Sequence, residues 1–312
     1  MSTLAERKEN VPPNLAFIVL TAISLILWFH ALRQTFSDAI QNDEYTHILL
    51  ILPISALLIF QSWSERKRSG EIGSTTHAHR QWLPAAVLLP ACLILLALVS
   101  GAKWSEESGT GLALKMALLI GWWIASFLFC FGVPAFRLNR FALLFLFWMV
   151  PLPVPVVDRI VRVLQVGSAI TTNWLFEIFR VPVIRDGTTL QIPGLEVRVE
   201  AECSSIRTSL ILFVTTIVLV HLLLRAPWRK LFVVLVAIPL SVAKNALRIF
   251  IIAMLTTRVD PSYLHGRLHR QGGTVFLLLG IAVILLLIWM LRRGDERDER
   301  RALHFAEVEI ER

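Results

Sequence analysis

Apolar residues in this chain come in blocks long enough to cross a membrane, and nothing else in the sequence limits the fold so tightly. A hydrocarbon layer takes about 20 helical residues to cross. It offers no water to an unpaired backbone group, which favours helices. Eight blocks are legible, at roughly 14–32, 47–63, 82–100, 111–132, 141–157, 204–224, 231–256 and 274–291. Of the 312 residues only 17% are charged, well short of the quarter usual in soluble domains. The expectation is an all-α polytopic membrane protein, 1–312 forming one membrane domain with about eight transmembrane helices. The first block is too long for a signal-peptide core and no small-residue cleavage site follows it, so it reads as a retained helix.

The formal charge of +8 is concentrated in short loops and tails, where it reports topology. Arg66, Lys67, Arg68 and Arg80 follow the second block, Arg137 and Arg140 the fourth, Arg225, Arg229 and Lys230 the sixth, and LRRGDERDERR the eighth. The loops between, SDAIQNDEYTH and GAKWSEESGTG, are acidic or mixed. The alternation puts both termini, including the charged tail 293–312, in the cytoplasm. Residues 158–202 then lie outside despite five arginines, a long segment on which the rule is weak. No motif points to nucleic acid, and none is expected as a partner.

Within that segment, VDRIVRVLQVGSAITTNWLFEIF places apolar residues at helical spacing among Asp158, Arg159, Arg162 and Glu177, as in an amphipathic helix on or re-entering the membrane. VIRDGTTLQIPGLEVRVEAE alternates apolar and polar residues, with turn signals at Asp186-Gly187 and Pro193-Gly194, and predicts short strands before the sixth span. Pro151, Pro153 and Pro155 end the fifth span, and Pro239 kinks or breaks the seventh.

Three places carry chemistry. VEAECSSIRTSLILF sets Cys203 at the N-terminal mouth of the sixth span, beside Glu200, Glu202 and Arg207. The helix dipole and Arg207 favour a thiolate there and the two carboxylates oppose it. The plainer reading is a helix capped by Ser204 and Ser205 with a bystander thiol. Cys92 and Cys130 lie inside apolar blocks as small hydrophobes. In the seventh span SVAKNALRIFIIAML holds Lys244 and Arg248 four apart with Asn245 between them. Arg248 lies about 12–15 Å from the outer end at 1.5 Å per residue, deep for a snorkelling cation. Charges inside a span usually face a polar cavity or a partner. SYLHGRLHRQGG brings His265 and His269 before the last span. Their spacing suits a metal on a helix, yet no further ligands stand nearby, so no metal or other cofactor is expected. A histidine there serves as a proton carrier or as plain surface. The topology sends Cys203, Arg248 and His269 to one leaflet: a nucleophile, an oxyanion stabiliser and a proton carrier, the parts of an acyl transfer.

Several stretches bear a wider likeness. YTHILLILPISALLI at 45–59, FLFWMVPLPVPVVDRI at 145–160, GTTLQIPGLEVRVEAECSSIRTSL at 187–210, NALRI at 245–249 and HRQGG at 269–273 resemble, in order, the elements of the exosortase/archaeosortase family of integral membrane cysteine transpeptidases. Thr46 stands where that family usually has Ser, and Ser205 where it often has Gly. The resemblance implies Cys203 as nucleophile, Arg248 as carbonyl or oxyanion stabiliser and His269 as general acid/base, with Arg207, Asn245, Lys244, His265 and Glu202 as neighbours or substrate contacts. Histidine at the third position favours the bacterial branch and hence the plasma membrane. The implied substrates are secreted proteins with a C-terminal tail of the Pro-Glu-Pro type, cleaved through a thioester and passed to a lipid or glycan acceptor or to water. The other reading is a non-catalytic transporter or polysaccharide-export component, since intramembrane Lys and Arg also mark substrate pathways.

Overall fold

A computed structural model of the chain describes residues 12–68, 83–102, 109–199, 206–260, 262 and 267–310. It comprises nine α-helices and three short strands among those residues. They fall into two compact units, Met1–Val157 and Asp158–Arg312.

In the first unit α1 (Pro13–Leu27) starts with proline at its first turn, where a missing N–H costs nothing. The expected span 14–32 does not run through. The helix axis bends by 75° at Trp28, and α2 (Phe29–Gln41) leaves at that angle. The bend follows a change of pattern. α1 is apolar on all sides, whereas α2 buries Ala31, Leu32, Thr35 and Ala39 and turns His30, Arg33, Gln34 and Ser37 the other way. Trp28 is buried at the corner, and its indole N–H donates to the Lys115 carbonyl at 2.8 Å.

The expected fourth span and the first residues of the expected fifth fall on two arms of one element, α5 (Thr110–Phe145), after α3 (Ile48–Arg68) and α4 (Leu83–Gly101). Between the arms Gly132 adopts φ 78°, ψ 174°. That region is essentially open to glycine alone. The first arm runs antiparallel to α1. Trp28 meets Lys115, the Trp122 and Trp123 indoles donate to the Leu20 carbonyl and the Ser24 hydroxyl, and Phe17 packs on Phe127 and Phe131. The second arm runs antiparallel to α3. Ser62 donates to Asn139 near one end, and Tyr45 Oη donates to the Leu152 carbonyl at 3.1 Å at the other. Trp63, near the end of α3, also reaches Phe131. The chain therefore doubles back at Gly132, and residues 133–140, expected as a loop, are helical.

A 3-10 turn, Leu146–Met149, closes the second arm, and extended residues 151–153 carry the prolines before α6 (Val154–Ile178). α6 thus begins three residues before the expected amphipathic helix. Pro155 sits in its first turn, where a helix lacks N–H partners anyway.

In the second unit β1 (Ile184–Asp186), β2 (Thr189–Ile192) and β3 (Leu195–Arg198) form an antiparallel meander in the order β1-β2-β3. Gly187 (φ 59°) and Gly194 (φ 81°) supply the left-handed positions of its two tight turns. Alternation aims Leu190 and Ile192 inward, where they join Phe176 of α6, Val199, and Ile249, Phe250 and Ala253 further along the chain. Helices α7 (Ile206–Leu223), α8 (Pro227–Arg258) and α9 (Arg267–Ile310) pack as a bundle around Leu212, Val220, Val233, Ala237, Ile284 and Ile288. α8 runs through Pro239 without interruption, so of the expected kink or break, a break is excluded. Neighbouring elements pack it on several sides and hold the helix that one missing bond would weaken. α9 stays helical through the charged tail to Ile310.

Five helical segments are long and apolar enough to cross a membrane: Asp43–Ser64, Thr110–Met149, Ile206–Leu223, Pro227–Arg258 and Gly273–Gly294. The bent pair α1 and α2 makes a sixth if taken as one span, and Val87–Gly101 is a shorter apolar helix. Thr110–Met149 holds 40 residues. At 1.5 Å each it would be about 60 Å long if straight, twice the thickness of a hydrocarbon layer. The reversal at Gly132 removes that mismatch.

Replacing Gly132 with Ala tests the hairpin. No clash is expected, since an added Cβ would lie 3.7 Å from Pro134 Cδ, but the backbone becomes strained. The expected loss is about 1–3 kcal/mol, read as a lower unfolding midpoint of the purified protein. An unchanged midpoint would mean that this backbone conformation is not required.

Candidate active site

The cations expected inside the seventh span are on α8 and buried: Lys244 is 4% exposed and Arg248 9%. Lys244 Nζ donates to Thr208 Oγ1 at 2.7 Å, tying α8 to the first turn of α7. Asn245 points to the other side. Its amide N–H donates to Ser168 Oγ of α6 at 2.9 Å, and Thr172 of α6 approaches the Ala246 carbonyl at 3.4 Å. Asn245 Oδ1 is buried with no hydrogen-bond partner among the described residues. Gly167 lets α6 come close, since a Cβ there would stand 3.3 Å from Val242.

Glycines on α9 set the register of the bundle. A methyl group at Gly280 would lie 3.3 Å from Leu212 and 3.6 Å from Lys244 Cδ, so those three residues share a level. One at Gly273 would lie 3.4 Å from Thr208 Cγ2. α7 and α8 run antiparallel, joined by only three residues, Leu224–Ala226. Arg248 is therefore one turn beyond Lys244, toward the end where α7 and α9 both begin. His269 stands in the first turn of α9, one turn before Gly273. At the opposite end Arg229 donates to the Leu291 carbonyl at 3.2 Å and lies beneath Gly294.

Cys203, Glu202 and His265 lie outside the described residues. The chain on either side of residues 200–205 is anchored, however. Val199 is 1% exposed, donates its N–H to the Thr188 carbonyl at 3.0 Å and packs in the cluster of Ile249 and Phe250. Ile206 is buried at the start of α7, two residues before the Thr208 that holds Lys244. Both anchors thus converge on residues 244–250 of α8, the stretch containing Arg248. Arg207 is exposed on the first turn of α7. Asp260 follows the end of α8, and its carboxylate accepts the Ser262 N–H at 2.7 Å, which holds its pKa below the ordinary carboxylate value.

Sequence reasoning missed Thr208, Ser168 and Thr172, the hydroxyls that bind or approach α8. Thr208 sits in the quoted stretch beside Arg207, and Ser168 and Thr172 fall one turn apart on α6. Yet which buried hydroxyl meets which amide or ammonium depends on helix register, which a single chain does not display. Among the described residues no group of His, Cys, Asp and Glu is placed to hold a metal ion.

An apolar, multi-helix architecture with a polar cluster buried at one end of a bundle defines a polytopic membrane protein. The model of one family, described as transmembrane exosortase, matches residues 38–289. The chain belongs to that family. No curated protein and no solved structure matches it.

The Lys244–Thr208 bond can be weighed by a double-mutant cycle. Thr208→Val leaves a buried ammonium without its acceptor and is expected to destabilise the protein by about 1.5–3 kcal/mol. Lys244→Met removes the charge as well and costs less. The double variant should match Lys244→Met alone when denaturant unfolding is measured. Additive losses would mean that the two side chains do not cooperate.

Proposed function

We propose that the protein is a membrane cysteine transpeptidase that removes the C-terminal sorting tail of secreted proteins, with Cys203, Arg248 and His269 as its catalytic residues. Family membership supports the transpeptidase class. The observation that supports the assignment of residues is the anchoring of Val199 and of the start of α7, on either side of residues 200–205, at residues 244–250 of α8, with Gly273 of α9 beside Thr208 in the first turn of α7.

In this reading His269 takes the proton of the Cys203 thiol, and the thiolate attacks the scissile carbonyl. The oxyanion that forms is met by the Arg248 guanidinium, whose burial strengthens the interaction relative to water. His269 then gives its proton to the leaving amine, the carbon–nitrogen bond breaks, and the secreted protein is left as a thioester on Cys203. A lipid or glycan amine or hydroxyl attacks the thioester and restores the thiol; water in its place gives hydrolysis. Asn245 Oδ1 is available to a donor, and Arg207 and the arginines of 158–202 suit an acidic residue in the sorting motif. The substrate's own transmembrane helix would hold the scissile bond at the membrane surface and raise its effective concentration. In this reading the protein sits in a bacterial plasma membrane, and the loop charges favour both termini in the cytoplasm and this end of the bundle outside.

Co-expression with a tailed substrate, followed by mass spectrometry of its C-terminus, tests the proposal. The wild type should remove the tail and Cys203→Ala should not. Arg248→Ala should slow processing by about 10²–10³-fold with the protein still folded. The mass left on the new terminus separates transfer from hydrolysis. Equal processing by wild type and Cys203→Ala would make the thiol a bystander and sink the mechanism.

A further inference from the structure

The first unit contains a cavity of about 570 Å³ between α2, the end of α4 and the start of α5. That volume suits a small-molecule headgroup. It is half open, and its lining is unlike the apolar helices around it. His30, Arg33, Ser37 and Asp38 face it from α2, Ser100 from α4 and Lys115 from α5. The α2 residues come at i, i+3, i+7 and i+8, so they are the polar stripe of an amphipathic helix rather than scattered surface positions. The bend at Trp28 creates the space, because it swings α2 away from the axis of α1, and the indole bond to the Lys115 backbone fixes where α2 departs. Among the described residues, no side chain forms an ion pair with the Arg33 guanidinium or the Lys115 ammonium.

We infer that this cavity binds the headgroup of an anionic phospholipid whose phosphodiester carries a hydroxylated alcohol. Arg33 and Lys115 supply the charge for a phosphate, with arginine matching two of its oxygens at once. Asp38, Ser37 and Ser100 are acceptors for hydroxyl groups, which a choline headgroup lacks. Among the described residues the charge balance of the lining, two cations against Asp38, favours a single negative charge. A lipid rather than a free phosphate ester is favoured by what borders the lining in the chain. Ile26, Phe29 and Leu98 are 77%, 63% and 64% exposed, a surface for acyl chains directly beside the polar groups.

Native mass spectrometry of the purified full-length protein tests this without any activity measurement, so its outcome is independent of the catalytic proposal. The probes are phosphatidylglycerol and phosphatidylcholine with identical acyl chains, and soluble glycerol phosphate and inorganic phosphate. Wild type should retain phosphatidylglycerol over phosphatidylcholine by about tenfold, the ratio that one charge-assisted hydrogen bond provides. Arg33→Gln/Lys115→Gln should abolish that preference, while Arg137→Gln/Arg140→Gln, outside the cavity, should leave it. Arg33→Gln alone, an exposed change on α2, should weaken it and guards against misfolding of the double variant. Equal retention of both lipids, or a preference that survives the double variant, would overturn the site. Tight binding of glycerol phosphate or phosphate without lipid would overturn the lipid assignment and make the ligand a free ester.

Discussion

The whole structure depends on one rule: a backbone amide or carbonyl in hydrocarbon must find its partner within the protein. Long helices meet the rule by themselves. A departure from helix needs other partners for the backbone groups it frees. At the α1–α2 bend the backbone keeps its own bonds, Trp28 N–H to the Ser24 carbonyl and Leu32 N–H to the Trp28 carbonyl, and the Trp28 indole is left to reach the Lys115 carbonyl of α5. After the second arm of α5, where Pro151 and Pro153 leave carbonyls over, Tyr45 Oη comes to the Leu152 oxygen. This last bond joins two of the stretches through which the chain resembles its family, YTHILLILPIS and MVPLPVPVV. Their joint presence has a physical reason, since the phenol belongs to one and the exposed carbonyl to the other.

The same rule sharpens for side chains. Three cations are buried on α8, at Arg229, Lys244 and Arg248. A buried ammonium or guanidinium without acceptors costs several kcal/mol. Arg229 meets a backbone carbonyl of α9 and Lys244 a hydroxyl of α7. These contacts sit at opposite ends of the bundle, and each depends on a glycine or a hydroxyl that lets the neighbouring helix approach. Gly273, Gly280 and Gly294 all lie on α9 at such contacts, with Cβ positions 3.1–3.4 Å from Thr208, Leu212 and Arg229. A bulkier residue there would push α9 away from the polar groups that α7 and α8 share.

Much of this was legible in the sequence because hydropathy, glycine and proline act locally. The apolar blocks, the strands at 184–198, the amphipathic α6 and the buried position of Lys244 and Arg248 all follow from pattern. Three features did not. The bend at Trp28 has no proline or glycine to announce it; it reflects a switch from an apolar helix to an amphipathic one, fixed by a contact 87 residues away. The helix through 133–140 was hidden because Arg137 and Arg140 look like loop charge, although Gly132 alone makes the turn. The pairing of Thr208 with Lys244 and of Ser168 with Asn245 was out of reach because it is set by register between helices.

These limits bear on how a site of this kind is assembled. Cys203, Arg248 and His269 are spread over 67 positions of chain, and no local pattern could bring them together. Around Arg248 the visible long-range packing is that of α6 and the three-stranded meander on α8. The meander is too small to be stable alone, since a sheet of such short strands needs a hydrophobic face to cover. Leu190, Ile192 and Val199 find that face on Phe176 and on Ile249 and Phe250. The residues that stabilise the sheet are thus the immediate neighbours of Arg248, so the fold of the meander and the position of Val199 at its end are set by one cluster. A substitution at Phe250 should accordingly loosen the meander, read as faster hydrogen exchange of its backbone amides, whereas one at Val233, in the other core, should not.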